Sequence, residues 1–344
     1  MQPDAADTLG IGGSWFDPLW RVPVELSPLE RALLDSWPVR RLGMVAHAGA
    51  AALTTTQTYS RLEHSLGVLA LVAHFAPQDA LARATALLHD VGHLPFSHTL
   101  EGIDGLDHHD LGHARIRSMS QLLARHGIDA EDVIAVDDGR LPSPLHSRPG
   151  GLKLDHLDSF LRSGQAHGRT EELPSVLLER LRLIDGTVDT DEETGTELVR
   201  LAVTEARAQR STADVTPVAV LRHLVTTALS EPDPAFTVEE LAVMTDDELL
   251  GALRRAPATA EEADVFRLHP LSWQLLADPS SGSQADVSID VDEGAGAPLV
   301  QYQITRSYLD VPTVDGELLH SPDVTRLHGE LPLFFALRRV CERS

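Results

Sequence analysis

The sequence predicts a mainly α-helical fold with a small β appendage near the C-terminus, and three observations predict it. Apolar residues recur at helical spacing behind capping signals over much of the first 126 residues. The implied core is built on Leu, Val and Ala, because aromatics are only 4% of the 344 residues while hydrophobics are 42%. The best β candidate comes late, as two strands around a Gly-rich turn in QADVSIDVDEGAGAPLVQYQITRSYLDVP.

Taken in order, Ser27-Pro28 opens an apolar-periodic stretch as an N-cap and first-turn proline would. Residues 59 to 75 place Leu62, Leu66, Leu69 and Phe75 at near-helical spacing. A second helix rich in Ala and Leu runs from 78 to 91, ends at Gly92 and is barred from continuing by Pro95. A third is expected from Asp110 to His126, with Gly127 as C-cap, and the proline- and glycine-rich loop 137 to 151 follows. In a fourth helix Leu152, Leu154, Leu157 and Leu161 alternate with Asp155 and Asp158. The segment LRLIDGTVDTDEETGTELVRL reads as a hairpin with a solvated acidic tip that runs into the following helix. Helix resumes over about 197 to 255, with MTDDELLGAL as a capped start, and a terminal helix closes the chain. The organisation expected is a lead-in at 1–26, a metal-binding core at 27–184, a helical extension at 185–275 beginning with the hairpin, and a C-terminal segment at 276–344.

Charge narrows the partners. Lys and Arg number 28 against 52 Asp and Glu, a net charge of −24. Such a surface repels nucleic-acid backbones and anionic lipid, whose capture depends on Lys and Arg neutralising phosphates. An anionic small molecule must then be held locally, by a metal and a few arginines. The single cysteine, Cys341, excludes an intrachain disulfide and a Cys-based zinc site, and points to a cytoplasmic protein. The acidic start MQPDAADTLGIGG lacks the basic region and apolar stretch of a signal peptide, and no apolar run approaches the ~18 residues of a membrane span.

Six histidines fall between His89 and His113, beginning with the dipeptide His89-Asp90; His64 lies upstream and Asp155 downstream. Imidazoles and carboxylates hold divalent metals at neutral pH, and a hydrolytic site needs three or four of them with positions left open. Adjacent helical residues point about 100° apart, so His89 and Asp90 reach one ion only at a helix end, with His64 and Asp155 completing the shell from neighbouring helices.

The ordered motifs RLEHSLG, HDVGHLPFSH, HHDLGH and LKLDHLDSF resemble the HD-domain superfamily of metal-dependent phosphohydrolases, most closely its deoxynucleoside triphosphate triphosphohydrolase branch. FDPLW, PVRRLGMVAHAG and MTDDELL are similar to further parts of that branch, and the similarity covers about residues 15 to 275. It implies an HD-domain helical core and one divalent ion, Mn, Fe, Co, Ni or Mg, on His64, His89, Asp90 and Asp155. It implies phosphate contacts from Arg61 and His93, acid–base work by His98, and a second active-site histidine at His109. Asp110 and Glu101 are the carboxylates expected to orient these imidazoles. His108 and His113 match no motif position and read as helix-surface residues.

The chain departs from that branch where substrate is read. His47 stands where a glutamine would read the sugar 3′-hydroxyl, His156 replaces a lysine, and Ser159 and Ser163 replace a tyrosine and an aspartate. The Tyr-Gln-His-Lys segment that grips the triphosphate has no counterpart; ARAQRSTADVT occupies its place. His47 and His156 are therefore expected in a rebuilt substrate pocket. Three classes fit: a phosphohydrolase of a nucleotide or similar phosphate ester, an HD-type di-iron oxygenase, and a nucleotide-binding regulator with weak catalysis. No stable nucleic-acid or membrane partner is expected, and the resemblance implies a homo-oligomer.

Overall fold

The computed structural model describes residues 12–275 and 299–339. The fold is mainly α-helical. A short antiparallel pair, β1 (Ser14–Phe16) and β2 (Pro23–Glu25), leads into α1 (Pro28–Asp35) and α2 (Trp37–Arg41). Ser27 caps α1 in a full capping box with Glu30, two orphan N–H groups being satisfied reciprocally. Then come α3 (Arg61–Phe75), α4 (Ala80–Leu88), α5 (His108–Ser118), α6 (Ser120–Ala124), α7 (Ala130–Asp137) and α8 (Leu154–Ala166). Their apolar faces share one core with α1, around Leu33, Leu69, Leu87, Ile134 and Leu161.

A short helix, α9 (Pro174–Leu178), precedes the hairpin of β3 (Arg182–Ile184) and β4 (Thr187–Thr190). Its turn is Asp185-Gly186, both at positive φ. The acidic run is not the tip: Asp191 caps α10 (Glu192–Ala208), and Glu192 and Glu193 occupy its first turn, where carboxylates complement the helix dipole. The helices α11 (Thr212–Leu229), α12 (Val238–Val243), α13 (Asp246–Arg255) and α14 (Ala260–Leu268) form a second core with the antiparallel sheet β5 (Trp273–Leu275), β9 (Leu333–Arg339) and β6 (Leu299–Ile304), ordered β5-β9-β6.

Between β6 and β9 the chain makes a detour. β7 (Thr313–Val314) pairs in parallel with β4 and antiparallel with β8 (Glu317–Leu318), and α15 (Pro322–Gly329) packs on α10. The expected terminal helix is thus an internal one followed by a strand. The strand expected to pair with β6 across a Gly-rich turn lies outside the described residues; β6 pairs instead with β9, over Leu299↔Arg338 to Ile304↔Leu333. No helix among the described residues is long and apolar enough to cross a membrane.

Candidate metal centre

Three helix segments bring four ligand-type side chains together. Ser60 caps α3 through Glu63 N–H, which sets His64 one turn in, on a face that is buried throughout. Asp79 caps α4, whose last turn delivers His89 as C-cap and Asp90 just beyond, at the helix end where the dipole favours a cation. Asp155 sits in the first turn of α8.

His64 Nε2 lies 3.1 Å from Asp155 Oδ1 and 3.9 Å from Asp90 Oδ2, and His89 Nε2 lies 3.5 Å from Asp90 Oδ1 and 4.0 Å from Asp155 Oδ1. Both imidazoles are held from behind. His64 Nδ1 donates to Asp158 Oδ2 at 2.8 Å and His89 Nδ1 to the Ala86 carbonyl at 2.9 Å, so each Nε2 is the atom turned toward the carboxylates.

This donor set fits a divalent ion. His89 Nε2 is buried without a hydrogen-bond partner, an arrangement that costs free energy unless something else satisfies the nitrogen. Both carboxylates are ionised. Burial opposes this, but Arg61 with His89 and His93 holds Asp90 well below the usual range, and Lys153 with His156 and His64 does the same for Asp155. Burial lowers the pKa of His64 too, yet its hydrogen bonds to Asp155 and Asp158 outweigh that and push it up to about 9.

Asp158 was not among the expected ligands. Fully buried, it also accepts from Trp20 Nε1 (2.7 Å) and from Arg162 (2.8 and 3.0 Å), and Arg162 in turn binds Asp17 at 3.1 Å. Asp17 and Trp20 of the FDPLW motif therefore serve to fix the carboxylate that orients His64. Burial would raise the Asp158 pKa, but Arg162 and His64 bring it down to about 2. We expect Asp158→Asn to weaken metal affinity about 10–100-fold, the usual cost of losing a partner that orients a ligand, with the fold intact. Competition titration against a chelator measures it; unchanged affinity would mean that His64 needs no such support.

Arg61 donates to Asp90 Oδ2 at 2.9 Å and to Ser97 Oγ at 2.8 Å, and His93 Nε2 lies 2.9 Å from Asp90 Oδ1. The HLPFSH loop is strained, since Phe96 and Ser97 both have φ of 55°. It is held there by Ser97 Oγ donating to the Ala46 carbonyl and by Asp246 accepting from the Phe96 and Ala46 N–H groups at 2.6 and 2.8 Å. Asp246, in MTDDELL, thereby ties α13 to the centre. His47 packs edge-on against His64 at 4.7 Å and faces Ser159 Oγ at 3.4 Å. Burial and the neighbouring Arg61 keep its imidazole neutral, well below its ordinary pKa.

The histidine wall differs from expectation by one residue. His108, not His109, faces the centre: its ring stacks on His93 at 4.6 Å, lies edge-on to His98 at 4.9 Å, and its Nδ1 lies 2.9 Å from Glu101 Oε2. His109 and Asp110 are exposed on the first turn of α5, and no hydrogen bond or ion pair joins the Asp110 carboxylate to an imidazole among the described residues. The reason is the helix start. Asp107 is the N-cap, accepting from the His109 and Asp110 N–H groups, so α5 begins at His108 and not at Asp110. His98 has 40% of its side chain exposed at the mouth, with Nδ1 3.9 Å from Glu101; dehydration by the cleft walls lowers its pKa.

The outer wall holds residues the motifs did not reveal. Lys153 Nζ lies 2.7 Å from Asp155 Oδ2, so an ammonium reaches the carboxylate from two residues before it and not from the position after it. His156 Nδ1 lies 2.5 Å from Asp310 Oδ2 and its ring is 5.0 Å from Tyr308. Ser163 is turned away, donating to Glu205 at 2.5 Å. His113 pairs with Asp138 at 3.1 Å, away from the Glu101 wall.

Known proteins resemble parts of this chain. The HD-domain family model matches residues 61–136, the stretch that carries His64, His89, Asp90, His93 and His98. An uncharacterized protein of Methanocaldococcus jannaschii is 31% identical over 163 residues, or 45% of this chain and 35% of that protein. A metal-dependent phosphohydrolase, cns2, of Cordyceps militaris is 30% identical over 155 residues, 41% and 42% of the two chains. The matches thus span less than half the length of these relatives. In fold, the chain resembles a phosphohydrolase from Bacteroides thetaiotaomicron (TM-score 0.71, 15% identity, 95% of this chain and 100% of that one) and a hypothetical protein from Aquifex aeolicus (TM-score 0.66, 20% identity, 95% and 96%). These findings match residues 61–136 to the HD domain and the fold to that of the two solved structures; they do not single out the triphosphohydrolase branch.

Proposed function

We propose that the chain is a metal-dependent phosphohydrolase that cleaves a phosphate ester of a nucleotide or nucleotide-like molecule. The observation that carries this reading is the convergence of His64, His89 and Asp155, with Asp90 beside them and His89 Nε2 unpartnered, next to a wall of three further imidazoles. A divalent ion bound there supplies Lewis-acid neutralisation of phosphoryl charge. Arg61 and His93 bind and orient the phosphoryl oxygens. His98, at the mouth, delivers a proton to the leaving oxygen, and His108 relays it, with its tautomer fixed by Glu101 accepting from Nδ1. His47 and Ser159 contact the remainder of the substrate.

The test is a panel of nucleoside mono-, di- and triphosphates and sugar phosphates, each with Mn, Co, Ni and Mg, with products identified by mass. Metal-dependent release of phosphate or polyphosphate is expected; a metal-loaded protein that turns over none of these contradicts the reading. Within it, His98→Ala and His108→Ala should each keep the metal and lose roughly 10²–10⁴-fold in turnover, as general acid–base residues do. His109→Ala should stay within a few-fold of the parent. The reverse ranking of His108 and His109 would place the wrong imidazole in the wall.

One observation favours a second reading. The nitrogens of His93, His98 and His108 also lie within 4.8 Å of one another, and His93 Nδ1 is buried without a partner, a set suited to a second ion and to di-iron oxygenase chemistry. Elemental analysis separates the two: two irons per chain against one exchangeable ion.

A further inference from the structure

The stretch from Ile304 to Thr313 joins two sheets, with Ile304 paired to Leu333 at one end and Thr313 to Asp189 at the other, and between them it crosses the mouth of the metal centre. Backbone hydrogen bonds fix Val311 to Gly150 (3.0 Å) and to Leu152 (2.8 Å), and Arg210 holds Ser307 Oγ at 3.2 Å. Ser307, Leu309 and Val311 are buried, so Arg306, Tyr308 and Asp310 take the opposite face, toward the cleft. The Tyr308 ring lies 5.0 Å from the His156 ring and 6.1 Å from the His98 ring.

Arg306 is exposed, and its guanidinium carbon sits 4.8 Å from the centre of the Tyr308 ring. Among the described residues no carboxylate or hydrogen-bond acceptor engages that guanidinium. The carboxylates that meet the segment are taken, Asp310 by His156 at 2.5 Å and Glu330 by Arg210 at 2.6 Å. The cations deeper in the centre are engaged too, Arg61 by Asp90 and Lys153 by Asp155. A guanidinium laid over an aromatic ring keeps its N–H groups free at the edge, and two of them match two oxygens of one phosphate. On a chain of net charge −24, such a cation at the mouth is a local anchor for an anion.

Its depth decides which anion. Arg61 and His93, which bind Asp90 directly, meet the phosphoryl group at the ion. Arg306 is farther out: contacts run in series from Asp155 to His156 (3.8 Å), from His156 to Tyr308 (5.0 Å), and from Tyr308 to Arg306 (4.8 Å). With two rings in that series, the guanidinium lies beyond the span of one phosphoryl group and within the reach of a phosphate chain.

We propose that Arg306 is a substrate-binding residue that takes a second phosphate, beyond the phosphoryl group at the ion, so that the site prefers nucleoside di- and triphosphates to monophosphates. The inference rests on the phosphohydrolase reading for its substrate but is tested on binding. Calorimetric titration of the Mn-loaded protein, in metal excess, with adenosine 5′-monophosphate and 5′-triphosphate reads it directly. The triphosphate should bind at least about tenfold tighter. Arg306→Ala, a change at an exposed side chain that the fold tolerates, should weaken the triphosphate about tenfold and the monophosphate less than about threefold. Arg306→Lys should recover part of the loss, since it keeps the charge without the fork. Equal losses for the two nucleotides, or no loss for the triphosphate, in a variant retaining its metal overturn the inference. So does a parent protein that binds the monophosphate as tightly as the triphosphate. Failure of the phosphohydrolase reading shows differently, as absent turnover of both nucleotides whatever the binding ratio.

Discussion

Alanine at His89 or at Asp90 is expected to remove both the bound metal and all metal-dependent hydrolysis. Each substitution takes one of the four ligand-type side chains, His64, His89 and Asp155 with Asp90 beside them, and a labile divalent ion on two imidazoles and two carboxylates has no surplus donor to replace it. The two variants should differ in what they leave behind. His89→Ala removes an Nε2 that has no hydrogen-bond partner, so its fold should hold. Asp90→Ala strands Arg61 and His93, which both bind its carboxylate, and leaves two buried polar groups uncompensated at a cost of about 1–3 kcal/mol or more. Metal content by elemental analysis and thermal unfolding separate the effects. Full occupancy and activity in either variant would remove that residue from the centre.

A large effect on stability is expected at Gly92. A Cβ there would overlap the His108 carbonyl and the backbone N–H and Cα of Gly112, main-chain atoms that cannot rotate aside. Gly92→Ala must push α5 off the HDVGH loop and carry His108 away from Glu101 and His93. We expect a loss of about 3 kcal/mol or more, a large part of the stability of a typical domain, together with loss of turnover. Urea unfolding measures it. Parent-like stability would show that α5 accommodates the methyl group. Gly67 makes the comparison instructive: a Cβ there would meet Asp158 Oδ1 and Arg162 Nη2, side-chain atoms within the buried network behind His64.

The helices that build the centre were legible because capping and periodicity are local. The Ser27-Pro28 start, the helix over 59–75 and the one over 78–91 correspond to observed helices within a few residues at each end. The capped start at MTDDELL is observed as the Thr245–Glu248 capping box of α13. The third helix was placed two residues late because Asp107 was not read as its cap; the expectation for His109 came from the motif resemblance, and the structure turns His108 to the wall instead. It is also broken at Met119 into α5 and α6. The tract over 197–255 is four helices, α10 beginning at Glu192 before α11, α12 and α13, because caps at Ser211, Thr237 and Thr245 restart it.

What periodicity could not supply was contact across the chain. Asp310 reaches His156, Asp246 reaches Phe96, and Trp20 reaches Asp158 across gaps of 154, 150 and 138 residues. Such pairs are set by how helices and sheets pack, and nothing in the local pattern around Asp310 marks it as part of a metal centre. Lys153 was closer to view, two residues before the metal aspartate, but side-chain reach across the N-terminal end of α8 decides its role.

The central claim is that one divalent ion sits among His64, His89, Asp90 and Asp155. The most direct measurement is an anomalous difference map, at the manganese absorption edge, from crystals of the Mn-loaded protein. One strong peak is expected, bonded to His64 Nε2, His89 Nε2 and a carboxylate oxygen of each of Asp90 and Asp155. A peak confined to the His93, His98 and His108 nitrogens, or none at the four residues at saturating metal, would contradict it.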